Sequence, residues 1–307
     1  MRVAVSLLLL ALATGAAAAE PVVPKGVAIE EKNVLGGKVR LDPSKGYIFV
    51  QGLDRQVGIF IRVADQEDRD AYQKDWEKQF AKAQKRYPGL LEQWQQALVT
   101  AQAARTKIPP KPIEPKRETF TIEPIEQHTQ ESFGPSFVYA KDPANQLYSY
   151  LTAVKPGTYI WYGPITLIPD TGYSGICYCM GSVKFEVKPG IVTDLGNSLL
   201  AAPRFDQQET AQITDLRANP DQLAKFEAAR VRQMSEIRYG LPASLNNWPN
   251  ARGEFSASGK IDNYLGVMIS RLPPIPGVLA YQRDTVIDVR TNTPLPNRTM
   301  SRWRSLR

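Results

Sequence analysis

The chain has 307 residues, 43% of them hydrophobic and 22% charged, which excludes a wholly disordered polypeptide and allows two or three domains. Its 24 prolines exceed the usual share of ~5% and argue against a long helical bundle. The formal charge is +7, a balance that serves solubility and favours anionic partners through long-range attraction.

Residues 1–19 read as a secretory leader. Arg2 is the positive n-region, Leu7 to Leu10 dominate an apolar run, and Ala17-Ala18-Ala19 supplies the small residues before a cut at Glu20. The apolar part is shorter than the ~20 residues of a membrane span. The expected location is periplasmic or secreted, with no transmembrane span in the mature chain. Export argues against nucleic acid and leaves an envelope protein, or an anionic envelope polymer or lipid, as partner.

From Val27 to Val63 the pattern is β. Lys38 to Leu41 alternates, Asp42-Pro43-Ser44-Lys45-Gly46 turns, Tyr47 to Val50 follows, and Ile59, Ile61 and Val63 recur at the period of a half-buried strand. At Ala64 the period changes. Tyr72, Trp76, Phe80, Ala83 and Tyr87 fall on one helical face, with acidic Glu67, Asp68 and Asp70 early and basic Lys82, Lys85 and Arg86 late. Pro88-Gly89 is expected to break the helix before Leu90, Leu91, Trp94, Leu98 and Ala101 resume the period. The spacing therefore predicts an αα-hairpin over 65–106, its aromatic stripe either the seam between helices or a binding face.

Residues 107–118 form a Pro-rich linker for which polyproline II geometry is expected. Strands are then expected at Thr119 to Ile122, Leu147 to Val154, Thr158 to Tyr162, Ser182 to Val187 and Ile191 to Leu195. Lys155-Pro156-Gly157 and Lys188-Pro189-Gly190 have the chemistry of type II turns. Residues 201–307 read as a mixed region: an amphipathic helix from Asn219 to about Arg238, strands over 251–291, an irregular corner at Leu272 to Gly277, and a basic tail. In that tail Arg302, Trp303 and Arg304 suit an anionic, half-apolar surface.

Two pieces, Val154-Lys155-Pro156-Gly157-Thr158-Tyr159 and Phe185-Glu186-Val187-Lys188-Pro189-Gly190-Ile191-Val192, resemble the strand–turn–strand signature of prealbumin-like β-sandwich domains, including those of uncharacterised bacterial envelope proteins. The resemblance spans about 50 residues, from Leu147 to Gly196. It implies a seven-stranded sandwich with a binding or structural role, here formed by 20–64 and 119–200, and it brings no catalytic motif.

Catalytic signatures are few. The single histidine, His128, excludes a site built from two histidines, and no Gly-x-Ser-x-Gly elbow or Ser-x-x-Lys pair occurs. Gly253 to Lys260 has five residues between its glycines rather than the four of a phosphate loop. Cys177-Tyr178-Cys179-Met180 is the most pointed local feature. Its cysteines share strand parity with Val183, Phe185 and Val187, which would turn them to the same core. Three readings stand: buried thiols or a disulfide aided by a bulge at Gly175 or Gly181, a soft copper site with Met180, or a redox pair.

The sequence thus points to a mainly β protein with an α insertion: a β-sandwich carrying an αα-hairpin, plus a mixed C-terminal region. The function it suggests is non-enzymatic binding or scaffolding in the envelope, without a cofactor. The interaction candidates are Tyr72, Trp76, Phe80, Trp94, Arg302, Trp303 and Arg304. A carboxylate-dependent envelope hydrolase is the alternative, and a thiol-based metal module at Cys177, Cys179 and Met180 the third.

Overall fold

Tyr47, Ile48, Phe49 and Val50 are all buried, although consecutive strand residues point to opposite faces. Their strand must therefore be covered on both sides, and this requirement organises the fold. The computed structural model describes residues 27–53, 55–134, 136–142, 147–200, 221, 238–297 and 299. The leader, the tail residues Arg302, Trp303 and Arg304, and the helix expected over 219–238 (Asp221 and Arg238 apart) lie outside the described residues.

The described chain is mainly β, with 17 strands. The first nine are β1 (Val27–Ile29), β2 (Gly46–Leu53), β3 (Gly58–Arg62), β4 (Gln130–Phe133), β5 (Ala140–Asp142), β6 (Leu147–Val154), β7 (Gly157–Gly163), β8 (Ile165–Ile168) and β9 (Gly172–Cys177). The remainder are β10 (Ser182–Val187), β11 (Val192–Asp194), β12 (Asn250–Arg252), β13 (Ser256–Ser258), β14 (Met268–Ile269), β15 (Leu279–Gln282), β16 (Thr285–Asp288) and β17 (Thr293–Pro294). The helical elements are α1 (Glu31–Leu35), α2 (Gln66–Ala103), α3 (Ile125–His128) and a short 3-10 helix, Ala243–Leu245.

A six-stranded sheet runs β1-β6-β2-β11-β12, with β5 also on β6, and a five-stranded sheet runs β13-β10-β7-β3-β4. Two three-stranded sheets, β14-β9-β8 and β15-β16-β17, complete the set. Ile48, Val50, Tyr150 and Val154 of the six-stranded sheet share one core with Phe60, Tyr159, Trp161, Val183, Phe185 and Val187 of the five-stranded sheet. The other face of the first sheet places Tyr47, Phe49, Leu151 and Val192 with Ile29, Tyr139 and Leu245. The other face of the second places Ile59, Ile61 and Tyr162 with Ile165, Cys177 and Cys179. Each such side chain contributes ~1.5–3 kcal/mol by leaving water. Packing is tight beside Trp161: a Cβ added to Gly58 would lie 2.2 Å from its indole, so Gly58→Ala would have to displace the ring.

The Lys-Pro-Gly corners do not close hairpins. Lys155-Pro156-Gly157 carries the chain from β6 in the six-stranded sheet to β7 in the five-stranded one, and Lys188-Pro189-Gly190 returns it from β10 to β11. The strands find long partners elsewhere. β6 pairs with β2 from Gly46↔Val154 to Leu53↔Leu147, and β7 pairs with β10. Gly190 adopts φ +70°, as the third position of a type II turn requires. Sequence-distant strands also close both sheets, since β12 lies parallel to β11 and β13 antiparallel to β10.

Five expectations need correction. Lys38 to Leu41 and Thr119 to Ile122 lie outside any strand, and α1 occupies part of the first β region. The strand with Ile59 and Ile61 is buried throughout rather than half-buried, because a further layer covers it. The αα-hairpin is replaced by one continuous 38-residue helix, α2, with Pro88 inside it.

Candidate interaction sites

Three residues separate β3 from helix α2, whose first turn is fastened by the end of β3 and by the β6–β7 corner. Asp65 and Asp68 form a reciprocal capping box, each carboxylate accepting the other's backbone N–H at 2.9 and 3.0 Å. Buried Arg62 donates to both Asp68 oxygens at 2.6 and 2.9 Å. Lys155, at the β6–β7 corner, pairs with Glu67 at 2.6 Å, Asp65 at 2.9 Å and Asp68 at 3.4 Å. The hydrogen bonds from Arg62 hold the Asp68 carboxyl well below the usual carboxylate range, although burial opposes them. Partial burial works against the Lys155 charge, but the bonds to Glu67 and Asp65 prevail and push it up to about 12. Tyr159 donates its hydroxyl to the Lys155 carbonyl at 2.6 Å, and burial pushes its phenol far upward.

Beyond this root the aromatic stripe faces the returning chain. Trp76 stacks on Phe80 at 5.1 Å, and both meet Phe120 edge-on. The Trp76 Nε1–H donates to the Phe120 carbonyl at 3.1 Å, while Arg117 lies over both Trp76 and Phe80. Farther out, the Trp94 Nε1–H donates to the Pro109 carbonyl at 2.9 Å. Pro109, Pro112 and Pro115 are half-buried, whereas Pro110, Lys111, Ile113 and Glu114 are exposed. That three-residue period is the period of polyproline II.

The stripe is thus a seam, as the spacing suggests, but its second wall is the Pro-rich segment rather than a second helix. Phe80 is buried, and Tyr72, Trp76 and Trp94 are half-buried, so their apolar faces are largely occupied within the arm. Pro88 sits on the exposed side. Tyr87, Leu91 and Trp94 keep the helical register across it, and packing on one wall outweighs its local penalty of ~3 kcal/mol. Lys82, Lys85 and Arg86 consequently lie mid-helix. At 1.5 Å per residue α2 is about 57 Å long.

A cleft of about 360 Å³ opens where the edges of the two large sheets meet. Lys184 and Glu186 of β10, Lys188, Arg252 of β12, Glu254 and Arg290 line it beside the hydroxyls of Thr158, Thr193 and Ser256. Arg252 stacks on Tyr239, guanidinium carbon to ring centre 3.7 Å. Arg290 donates to the Phe255 carbonyl at 3.0 Å and lies 3.9 Å from Glu254. Among the described residues Lys184, Lys188 and Arg252 have no ion-pair partner. Beneath the cleft, buried Asp194 of β11 accepts the N–H groups of Gly196 at 2.8 Å and Gly240 at 2.7 Å; burial raises its carboxyl.

Cys177 and Cys179 form a disulfide with Cα atoms 5.2 Å apart, nearer than the ~6.6–6.8 Å of a straight strand. β9 ends at Cys177 and a turn precedes β10, so strand parity is lost. The cysteines are buried, but with Ile59 and Ile61 rather than with Val183 and Phe185. In the disulfide neither sulfur is a thiolate for a metal, and the Met180 N–H donates to Ser270. His128 meets Tyr72 edge-on at 5.8 Å, with its Nε2 buried. Among the described residues no group of three His, Cys, Asp or Glu side chains is placed to hold a metal, and no helix is long and apolar enough to cross a membrane.

The root contacts and the cleft escape a motif search because their members are distant in sequence. Arg62 and Lys155 are brought together by the pairing of β3 with β7, whereas Lys184 and Arg252 line one cleft only because the two large sheets lie together. Comparison of the chain with protein-family models, curated proteins and solved structures finds no match to any of them.

Proposed function

We propose that this is an exported, non-enzymatic envelope protein whose body is a β-sandwich of the prealbumin-like kind and whose helix–polyproline arm engages an envelope protein. The observation that carries this reading is the arm. It is fastened to the body at one end, its stripe is closed by its own return segment, and it offers about 57 Å of helix to a partner. Leu90, Val99, Ile108 and Ile113 are exposed along it, beside a charged surface that suits a polar, reversible interface. Cleavage of residues 1–19 places the mature chain outside the cytoplasm.

The test removes residues 82–114 and joins the stacked ends with a short Gly/Ser linker, leaving Tyr72, Trp76, Phe80, Arg117 and Phe120. Envelope proteins captured by the full chain are identified by mass spectrometry, and binding is re-measured with purified components. Loss of binding in a truncated protein that still unfolds cooperatively is expected. Equal binding by both proteins overturns the role of the arm.

Glu186 and Glu254 in one cleft support a second reading, a carboxylate-dependent hydrolase. Both are exposed, whereas a general acid needs burial to hold its proton at neutral pH. Cleavage of envelope glycans that is lost in Glu254→Gln would establish this reading instead.

A further inference from the structure

The cleft between the sheet edges has a composition that selects its ligand. Lys184, Lys188, Arg252 and Arg290 supply four positive charges. Arg252 is already oriented flat on Tyr239, which leaves the in-plane donors of its guanidinium for a carboxylate or phosphate. The same wall holds Glu186, Glu254 and the hydroxyls of Thr158 and Ser256. A bare polyanion would set some of its charges against those carboxylates, whereas hydroxyl groups donate to them. The volume, about 360 Å³, falls in the range of small-molecule sites.

We propose that this cleft binds an acidic saccharide, its anionic group held by Arg252 and Lys184 and its hydroxyls by Glu186, Glu254 and Ser256. The inference rests on a binding role for the chain but not on the arm. Deleting residues 82–114 leaves the cleft in place, so failure of one reading is separable from failure of the other.

The experiment titrates the full mature chain calorimetrically with oligogalacturonate, with its neutral methyl ester and with inorganic polyphosphate. The acidic oligosaccharide should bind, and the ester at least about tenfold more weakly, the loss expected for a charge-assisted contact. Lys184→Gln with Arg252→Gln should weaken binding by at least the same factor. Lys82→Gln with Lys85→Gln, which removes equal charge from the arm, should leave it unchanged. Glu186→Gln with Glu254→Gln should weaken the oligosaccharide and strengthen polyphosphate. No binding of oligogalacturonate, equal loss in the arm control, or glutamate removal that improves both ligands would overturn the proposal. Competition by vesicles containing lipopolysaccharide would place the acidic sugar on a lipid, and its absence would place it on a soluble polymer; both support the site.

Discussion

Arg62 and Asp68 face each other in a two-pronged ion pair, with N–O distances of 2.6 and 2.9 Å, between the last residue of β3 and the first turn of α2. The pair is mostly removed from water, with 6% and 16% of the two side chains exposed. It fixes the direction in which the arm leaves the body, because Asp68 is also half of the capping box that starts the helix.

Asp68→Asn should therefore destabilise the protein by about 2–3 kcal/mol, since it removes the two-pronged partner of a buried guanidinium and leaves it only the longer 3.5 Å contact with Asp65. Chemical denaturation checks this. The effect depends on pH in a defined direction. The Asp68 carboxyl is held low in the folded state, so its stabilisation is present above the unfolded value near ~4 and declines as the pH falls below it. The difference between wild type and Asp68→Asn should shrink on acidification through that window. A constant difference down to strongly acidic pH would show that the pair contributes by shape alone.

Lys155 extends the same logic to alkaline pH. Its ammonium is raised to about 12, so its contribution is complete below the unfolded value near ~10.4 and is lost as the pH rises toward about 12. Lys155→Met should flatten alkaline unfolding of the arm root, followed by fluorescence of Trp76.

Pro88 tests the arm as a continuous element. It lies exposed inside α2, where proline costs roughly 3 kcal/mol relative to alanine. Pro88→Ala should raise amide-exchange protection over residues 84–92 and the melting temperature of the helical signal. Unchanged or reduced protection would indicate two helices meeting at Pro88.

Asp194 holds two backbone N–H groups from segments 44 residues apart, at Gly196 and Gly240. Asp194→Ala should cost about 2 kcal/mol, because both donors lose their acceptor. Hydrogen exchange at Gly240 should accelerate more than in the β2–β6 ladder. Equal acceleration in both would indicate global rather than local loosening.

The disulfide predicts no titratable thiol in the denatured, unreduced chain. Cys177→Ala with Cys179→Ala should lower stability by roughly 1–3 kcal/mol, through the buried sulfur volume and a short covalent loop. Two free thiols per chain, or copper that co-purifies with the wild type alone, would refute the disulfide.

The sequence by itself determined where the strands and the long helix lie to the extent that their side chains repeat at 2 or 3.6 residues. Leu147 to Val154, Ser182 to Val187 and the stripe from Tyr72 to Ala101 were legible because periodicity is local. The same period runs through Tyr87, Leu91 and Trp94, but Pro88-Gly89 is a local break signal and pointed to two helices where the structure has one. Which wall closes a stripe, and which sheet receives a strand, are not local properties. The Pro-rich segment could be read as extended but not as the partner of Trp76 and Trp94, because an extended chain carries its contacts at a three-residue period that helical pattern-matching does not register. The Lys-Pro-Gly corners looked like hairpins because turn chemistry specifies a change of direction, not the sheet in which the next strand pairs. Only the tertiary structure brought Arg62 to Lys155, and Lys184 to Arg252, since long-range pairing is decided by burying both faces of β2 and β3 at once.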